Sequence, residues 1–282
     1  MQHLMFTPHD RDTTLTRVLA LAEADPRIDA AVITGSLGSG RADRWSDIDL
    51  DLLVSEGEAC ERVAGEWVER IGRELGVVHR YETAFGSTLV RGLFLPNGLL
   101  LDLAFTPSSD FSAWAPVRVA FDRSGRATAI AAAPESWSPT PDWHGEAGFA
   151  WHDVLHGCAA ANRDRPWQAL YFLQRLRNRT LALASERHGL DASEFKHVDD
   201  LPAGEREPLR ASLVADLERG ALLAAIEVAT HAFLGELRRG DPQLAERLAP
   251  SLSRLLRASR EAEPRDAPRR ASGASADQAK SE

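Results

Sequence analysis

Apolar residues keep one rhythm in the first half of this 282-residue chain and another in the second. Residues 10–25 place Leu15, Val18, Leu19, Leu21 and Ala22 at helical spacing. AAVIT (30–34) is a short β-branched run that stops at Gly35, the mark of a buried strand. IDLDLLV (48–54) predicts a second strand, and the amphipathic stretch 57–75 a helix. Strand patterns then follow at 77–82, 87–95 and 98–105. The last two flank Pro96-Asn97 with Gly98 behind, which is a hairpin signal. VRVAFD (117–122), followed by Arg123, Ser124 and Gly125, predicts one more strand and a turn.

Residues 132–145 are rich in Pro, Ser and Gly without any period, and predict a connection between domains. From Glu146 onward the period becomes helical, at 148–163, 167–189, 207–220, 221–240 and 242–257, with glycines near several ends. Residues 258–282 mix Ser, Ala, Pro and charges with almost no large apolar side chain, and predict a disordered tail. The expectation is therefore an α+β protein. A strand-rich domain spans 1–135, and an all-α helical bundle spans 146–257.

Composition narrows the classes. Hydrophobic residues make up 44% and charged residues 27%, as in an ordinary globular protein. Cys60 and Cys158 stand far apart in no ligand-like spacing, which excludes a disulfide framework and makes a reducing cytoplasm the expected setting. Charges scattered through the first twenty residues leave no room for the apolar core of a signal peptide. No run of residues approaches the roughly 18 apolar positions of a membrane span. Lysine and arginine number 33 against 42 acids, a net charge of −9. That balance disfavours nucleic acid, whose binding rests on basic residues against phosphates, and suits a small cationic acceptor.

The chemistry concentrates in VITGSLGSGRADRWSDIDLDLLV (32–54). Asp47, Asp49 and Asp51 alternate into the second strand, so they share a face at steps of about 6.6 Å. Three carboxylates on one face repel one another, and a divalent cation removes that repulsion. Magnesium prefers one or two carboxylates plus substrate phosphates. Two carboxylates at this spacing can hold a metal pair about 3.5–4 Å apart, the arrangement used for in-line displacement at phosphorus. Gly35 lets a phosphate approach the backbone, and the Ser36 hydroxyl and nearby N–H groups can receive its oxygens. Gly38-Ser39-Gly40 keeps the turn open, and Arg41 adds positive charge.

The segment resembles the nucleotidyltransferase signature of the DNA polymerase beta superfamily: an apolar strand, Gly-Ser, about ten residues, then Asp-x-Asp between apolar residues. Its Gly-Arg-x-Asp-x-x-Ser-Asp-x-Asp form (Gly40, Arg41, Asp43, Ser46, Asp47, Asp49) is similar to that of the aminoglycoside-type nucleotidyltransferases. The resemblance implies a small mixed sheet that carries the metals, followed by a helical bundle. It implies Mg²⁺, two ions in all, on Asp47, Asp49 and a third acid matched by Asp102, alone in the apolar GLLLDLAF. It also implies ATP or another NTP as co-substrate, held near Gly35, Ser36, Arg41 and Ser46. Asp102 would take the acceptor hydroxyl proton or share a metal. The bland alternatives are a solvated acid pair at 47 and 49 with Ser46 as a local cap, and a buried Asp102 paired with an arginine.

Other residues leave alternatives open. Asp51 reads as a further site acid or a salt-bridged structural one. Arg175 and Arg179, one helical turn apart, could reach a triphosphate or form interhelical salt bridges. His152 and His156 are spaced i, i+4 but lack a third ligand, so a packed pair outweighs a zinc site. Asp153 could face an acceptor. Asp43 and Arg44 read as turn partners, and Trp167, Tyr171 and Phe172 as core. Lys196, Asp199 and Asp200 in a helix–helix loop carry no ranking. The leading expectation is nucleotidyl transfer, AMP from ATP, to a hydroxyl of a small molecule such as an aminoglycoside. Transfer to protein or RNA, and a non-catalytic nucleotide-binding module, are the alternatives. The acceptor, the preferred NTP and the oligomeric state are not written in the sequence.

Overall fold

The computed structural model describes residues 5–113, 116–132 and 140–262. The chain divides into two compact units, Met1–Trp137 and Ser138–Glu282.

The first unit is a mixed sheet with helices. Helix α1 (Pro8–Ala24) starts at a capping box in which Thr7 Oγ1 accepts from the Asp10 amide and the Asp10 carboxylate accepts from the Thr7 amide. Strand β1 (Ile28–Ile33), the single helical turn α2 (Gly35–Gly38) and β2 (Ile48–Val54) follow, then α3 (Cys60–Leu75). Strands β3 (His79–Phe85), β4 (Thr88–Phe94), β5 (Leu100–Pro107) and β6 (Arg118–Asp122) complete the sheet, and α4 (Arg126–Ala132) ends the described part of the unit. The order is β3-β4-β5-β2-β1-β6, with β2 and β5 parallel and the other pairs antiparallel. The β4–β5 hairpin closes at Gly98, where φ is +81°.

Alternation divides the sheet into two faces. Ile48, Leu50, Leu52, Leu101, Leu103 and Phe105 pack against α1 and α3, whose Val18, Val63, Trp67 and Ile71 are buried among them. The opposite face of β2 and β5 carries Asp49, Asp51 and Asp102. Near its Leu53 end that face is closed by a small cluster that includes Val32, Phe111, Ala113 and Ala127.

The second unit is a helical bundle of α5 (Trp143–Asn162), α6 (Pro166–Arg187), α7 (Ala203–Arg210), α8 (Arg219–Gly240) and α9 (Pro242–Glu261). Val154, Leu173, Leu176, Ile226, Phe233 and Leu237 are among the buried side chains at its centre. The architecture is thus α+β, a mixed sheet followed by helices.

Several local expectations shift. The Gly-Ser turn is wound into one turn of helix, and β3 runs His79–Phe85 rather than 77–82 as an exposed edge strand. Helix α4 was not foreseen: the Asp122 carboxylate takes the amides of Ser124, Gly125 and Thr128 and so organises its start. The helix expected at 207–220 instead spans Ala203–Arg210 and gives way to turns, with the Ser212 amide bonded to Leu209 O. Irregular chain does not extend through 145, because α5 begins at Trp143 under an Asp142 cap whose Oδ1 accepts from the Gly145 amide at 2.8 Å. Residues 133–139 of that connection lie outside the described residues. Helix α9 continues through Glu261, past residue 257, and the expectation of a disordered tail otherwise falls on residues 263–282, also outside them. Helix α8 is long and apolar enough by composition to cross a membrane, against the expectation that no segment approaches that length. It lies in the bundle core, where Leu222, Ile226, Ala229, Phe233 and Leu237 are buried.

Candidate active site

Parallel pairing of β2 with β5 sets Asp49 beside Asp102 in register. Asp47, just before β2, brings its carboxylate to the same point. One oxygen from each of Asp47, Asp49 and Asp102 lies within 4.8 Å of the others, and all three side chains are partly buried. Ligands on opposite sides of a single Mg²⁺ are about 4.2 Å apart at the usual 2.1 Å bond length, so the trio is sized for one ion or a close pair. All-oxygen, anionic donors are those a hard divalent cation takes. The three residues could hold a metal.

The turn before β2 is shaped around this cluster. The Thr34 amide bonds to Asp49 O at 3.0 Å, tying the start of α2 to β2. Gly35 has φ +58°, and a Cβ there would stand 2.0 Å from Asp49 Oδ2. Both facts demand glycine, because the backbone lies in the left-handed region and the carboxylate occupies the space of a side chain. Ser36 Oγ next to it is buried and has no hydrogen-bond partner among the described residues, an open polar atom in a turn with which the oxygens of a ligand could bond.

The rest of the motif holds the loop. Ser46 Oγ accepts from the Asp43 amide at 2.9 Å and donates to Asp43 Oδ1 at 3.1 Å. Asp43 also takes the Trp45 amide, the main cause of its lowered pKa, and its carbonyl accepts from Arg11 at 2.7 Å. Arg44 lies over the Trp45 ring at 4.4 Å. The exposed Arg41 bonds through Nε to Ser39 Oγ at 3.3 Å. The hydroxyl of Ser46 and the head group of Arg41 therefore have local partners, whereas Gly35 stands at the trio itself. Asp51 sits one step further along the strand face, outside the trio: it accepts from Thr106 at 2.8 Å, and burial pushes its carboxyl up to about 6.

Tyr81 was not singled out from the sequence. Pairing sets Tyr81 opposite Gly92 and Gly92 opposite Asp102. The phenol ring crosses over Gly92, and its hydroxyl donates to Asp102 Oδ1 at 2.9 Å. A glycine inside the apolar strand 87–95 was the available signal, since such a residue marks close approach of another group.

The helical unit gathers different chemistry. The Asp153 side chain is 0% exposed and accepts from Arg175 Nε at 3.0 Å and Arg179 Nε at 2.9 Å. Arg179 also bonds Glu146 at 2.6 Å and lies over Phe149, while Arg175 bonds the Tyr171 hydroxyl at 3.0 Å. These arginines form interhelical salt bridges. His152 and His156 lie against one another with tilted rings, centroids 4.2 Å apart, and His156 stacks on Phe172: a packed pair. Trp167 and Tyr171 are not core, being 74% and 55% exposed, because the inward face of α6 is Ala169, Leu173, Leu176 and Leu183. Exposed Lys196 pairs with Glu194, Asp199 with Arg206 and Asp200 with His197.

No family model matches the chain, and no curated protein matches it. Among solved structures it is similar to the crystal structure of an aminoglycoside 6-adenyltransferase from Bacillus subtilis, at 12% identity and a TM-score of 0.37, over 86% of this chain and 96% of that one.

Proposed function

We propose that this protein is a nucleotidyltransferase that passes a nucleoside monophosphate, AMP from ATP, to a hydroxyl of a small-molecule acceptor and releases pyrophosphate. The observation that carries the reading is the convergence of Asp47, Asp49 and Asp102 within 4.8 Å beside a turn whose glycine is packed against Asp49. A bound divalent cation supplies neutralisation of the triphosphate charge. The chain's own part is to align the α-phosphate with the acceptor and to exclude other geometries, and such alignment accounts for much of the acceleration in reactions of this kind. Gly35 and Ser36 are the residues for the phosphates, and Asp102 takes the proton of the attacking hydroxyl. The acidic balance of −9 favours a cationic acceptor, of which an aminoglycoside is the first to try.

The test is incubation of the full chain with Mg²⁺, α-labelled ATP and a panel of aminoglycosides. The expected result is a labelled small molecule with one pyrophosphate released for each transfer. Label on protein or RNA from added lysate, with none on the panel, replaces the acceptor class and keeps the reaction. ATP binding without pyrophosphate release under any acceptor mixture leaves a non-catalytic nucleotide-binding module and ends the enzymatic reading.

A further inference from the structure

One row of residues runs straight across the sheet from its open edge to the trio: Tyr81 on β3, Gly92 on β4, Asp102 on β5 and Asp49 on β2. The outermost member reaches the third over the second. A Cβ on Gly92 would lie 2.0 Å from the Tyr81 ring, so any other residue at 92 would throw the ring out of this path. Tyr81 is 48% exposed and belongs to an edge strand whose side chains are exposed throughout. Its ring covers Gly92, and its hydroxyl donates to Asp102 Oδ1 at 2.9 Å.

We propose that Tyr81 is a positioning residue for Asp102, fixing the carboxylate's rotation so that it addresses the metal site, and that Gly92 is bare to let it do so. The proposal rests on the reading of the trio as a metal-binding site. A carboxylate turns freely about its last bond unless a neighbour holds one oxygen, and partners of this kind are what orient metal ligands elsewhere. A phenol keeps its proton throughout the neutral range, so the hydroxyl is the donor and the carboxylate the acceptor in this bond.

Three variants of the full chain decide it: Tyr81→Phe, which keeps the ring and removes the hydroxyl, Gly92→Ala, and the two together. Mn²⁺ affinity by calorimetry is the first readout and needs no turnover; pyrophosphate release with ATP is the second. Tyr81→Phe is expected to weaken Mn²⁺ binding about 10-fold, the lower end for loss of a ligand-orienting partner. It should lower kcat while leaving the KM for ATP and the melting temperature near wild type. Gly92→Ala is expected to lose as much, and the double variant no more than Gly92→Ala alone, because both act through one contact. Wild-type Mn²⁺ affinity and kcat in Tyr81→Phe would overturn the proposal while the trio's role stands. Losses that add independently in the double variant would overturn the link to Gly92. A wild-type chain that takes up no Mn²⁺ would bring down both the proposal and the reading of the trio.

Discussion

Each unit gathers carboxylates, and the two do it in opposite ways. On the sheet, three acids converge on one another, with an oxygen of each within 4.8 Å of the rest. In the bundle, one acid converges with its counter-charges: Asp153 is buried with Arg175 on one oxygen and Arg179 on the other, and Glu146 takes a further bond from Arg179. The second arrangement explains itself, since charges of both signs leave water together and satisfy one another. The first adds like charges at a partly buried point, a repulsion that a bound divalent cation would lower. The Asp153 cluster has its cations supplied by the fold, whereas the trio could hold a metal. The sharpest way to break this contrast is to neutralise one acid in each cluster.

Asp49→Asn should produce the largest change, a loss of transfer on the order of 10³-fold, measured as pyrophosphate release under saturating ATP and Mg²⁺. With divalent ions chelated, the same variant should melt no lower than wild type, because one member of a repelling set has been removed. Asp153→Asn should do the reverse. It removes the buried charge that Arg175 and Arg179 share and should cost about 3 kcal/mol by denaturant unfolding, with or without metal. If both variants lost stability alike in chelator, the trio would be an ordinary structural acid cluster.

Gly35→Ala comes next. Its Cβ would stand 2.0 Å from Asp49 Oδ2 on a backbone at φ +58°. The carboxylate must then move, and a displacement near 1 Å at such a centre costs roughly 100-fold in rate. The expected outcome is that loss in kcat with a fall in Mn²⁺ affinity. An alanine variant with wild-type values of both would show that the turn does not set the position of Asp49.

Much of this was written in the sequence, and the omissions have a common cause. The strand at 48–54 was legible to the residue, since alternating acids among β-branched and leucine positions admit one period. Asp102 stood out as a charge in an apolar run. Its place beside Asp49 rests on parallel pairing between strands about fifty residues apart, which local pattern does not encode; it came from the family resemblance. Tyr81 is harder still, because its role needs the register of two hairpins at once. Arg175 and Arg179 left two readings open, and the partner that closes the choice, Asp153, lies 22 and 26 residues away on another helix. Trp167 and Tyr171 shared helical spacing with the core, yet the leucines of α6 claim the inward face. Spacing gives a stripe but not which stripe is covered. Helix α4 depended on the three amides gathered by Asp122, which looks in sequence like the end of a strand.

The smallest expected effect tests the other half of the contrast, that fold-made acids carry their own cations. Asp25 follows α1 and is buried, with Arg27 on both oxygens at 2.9 and 2.8 Å and Trp67 Nε1 donating at 3.0 Å. These bonds, the Arg27 side chain first, pull its carboxyl down from 3.8 to about 2. A folded pKa below the unfolded one means that the unfolded chain binds the proton more readily. The stabilisation is then complete above about pH 4 and drains away as pH falls from there towards 2. Asp25→Asn should therefore cost about 2 kcal/mol near pH 7. Close to pH 2, where the wild-type carboxyl is itself largely protonated, the two unfolding curves should draw together. If the difference between variant and wild type stayed constant with pH, the charge would not be what Arg27 and Trp67 hold. Burial of a polar group would then suffice for Asp25, and Asp153 would lose its status as the contrasting case to the trio.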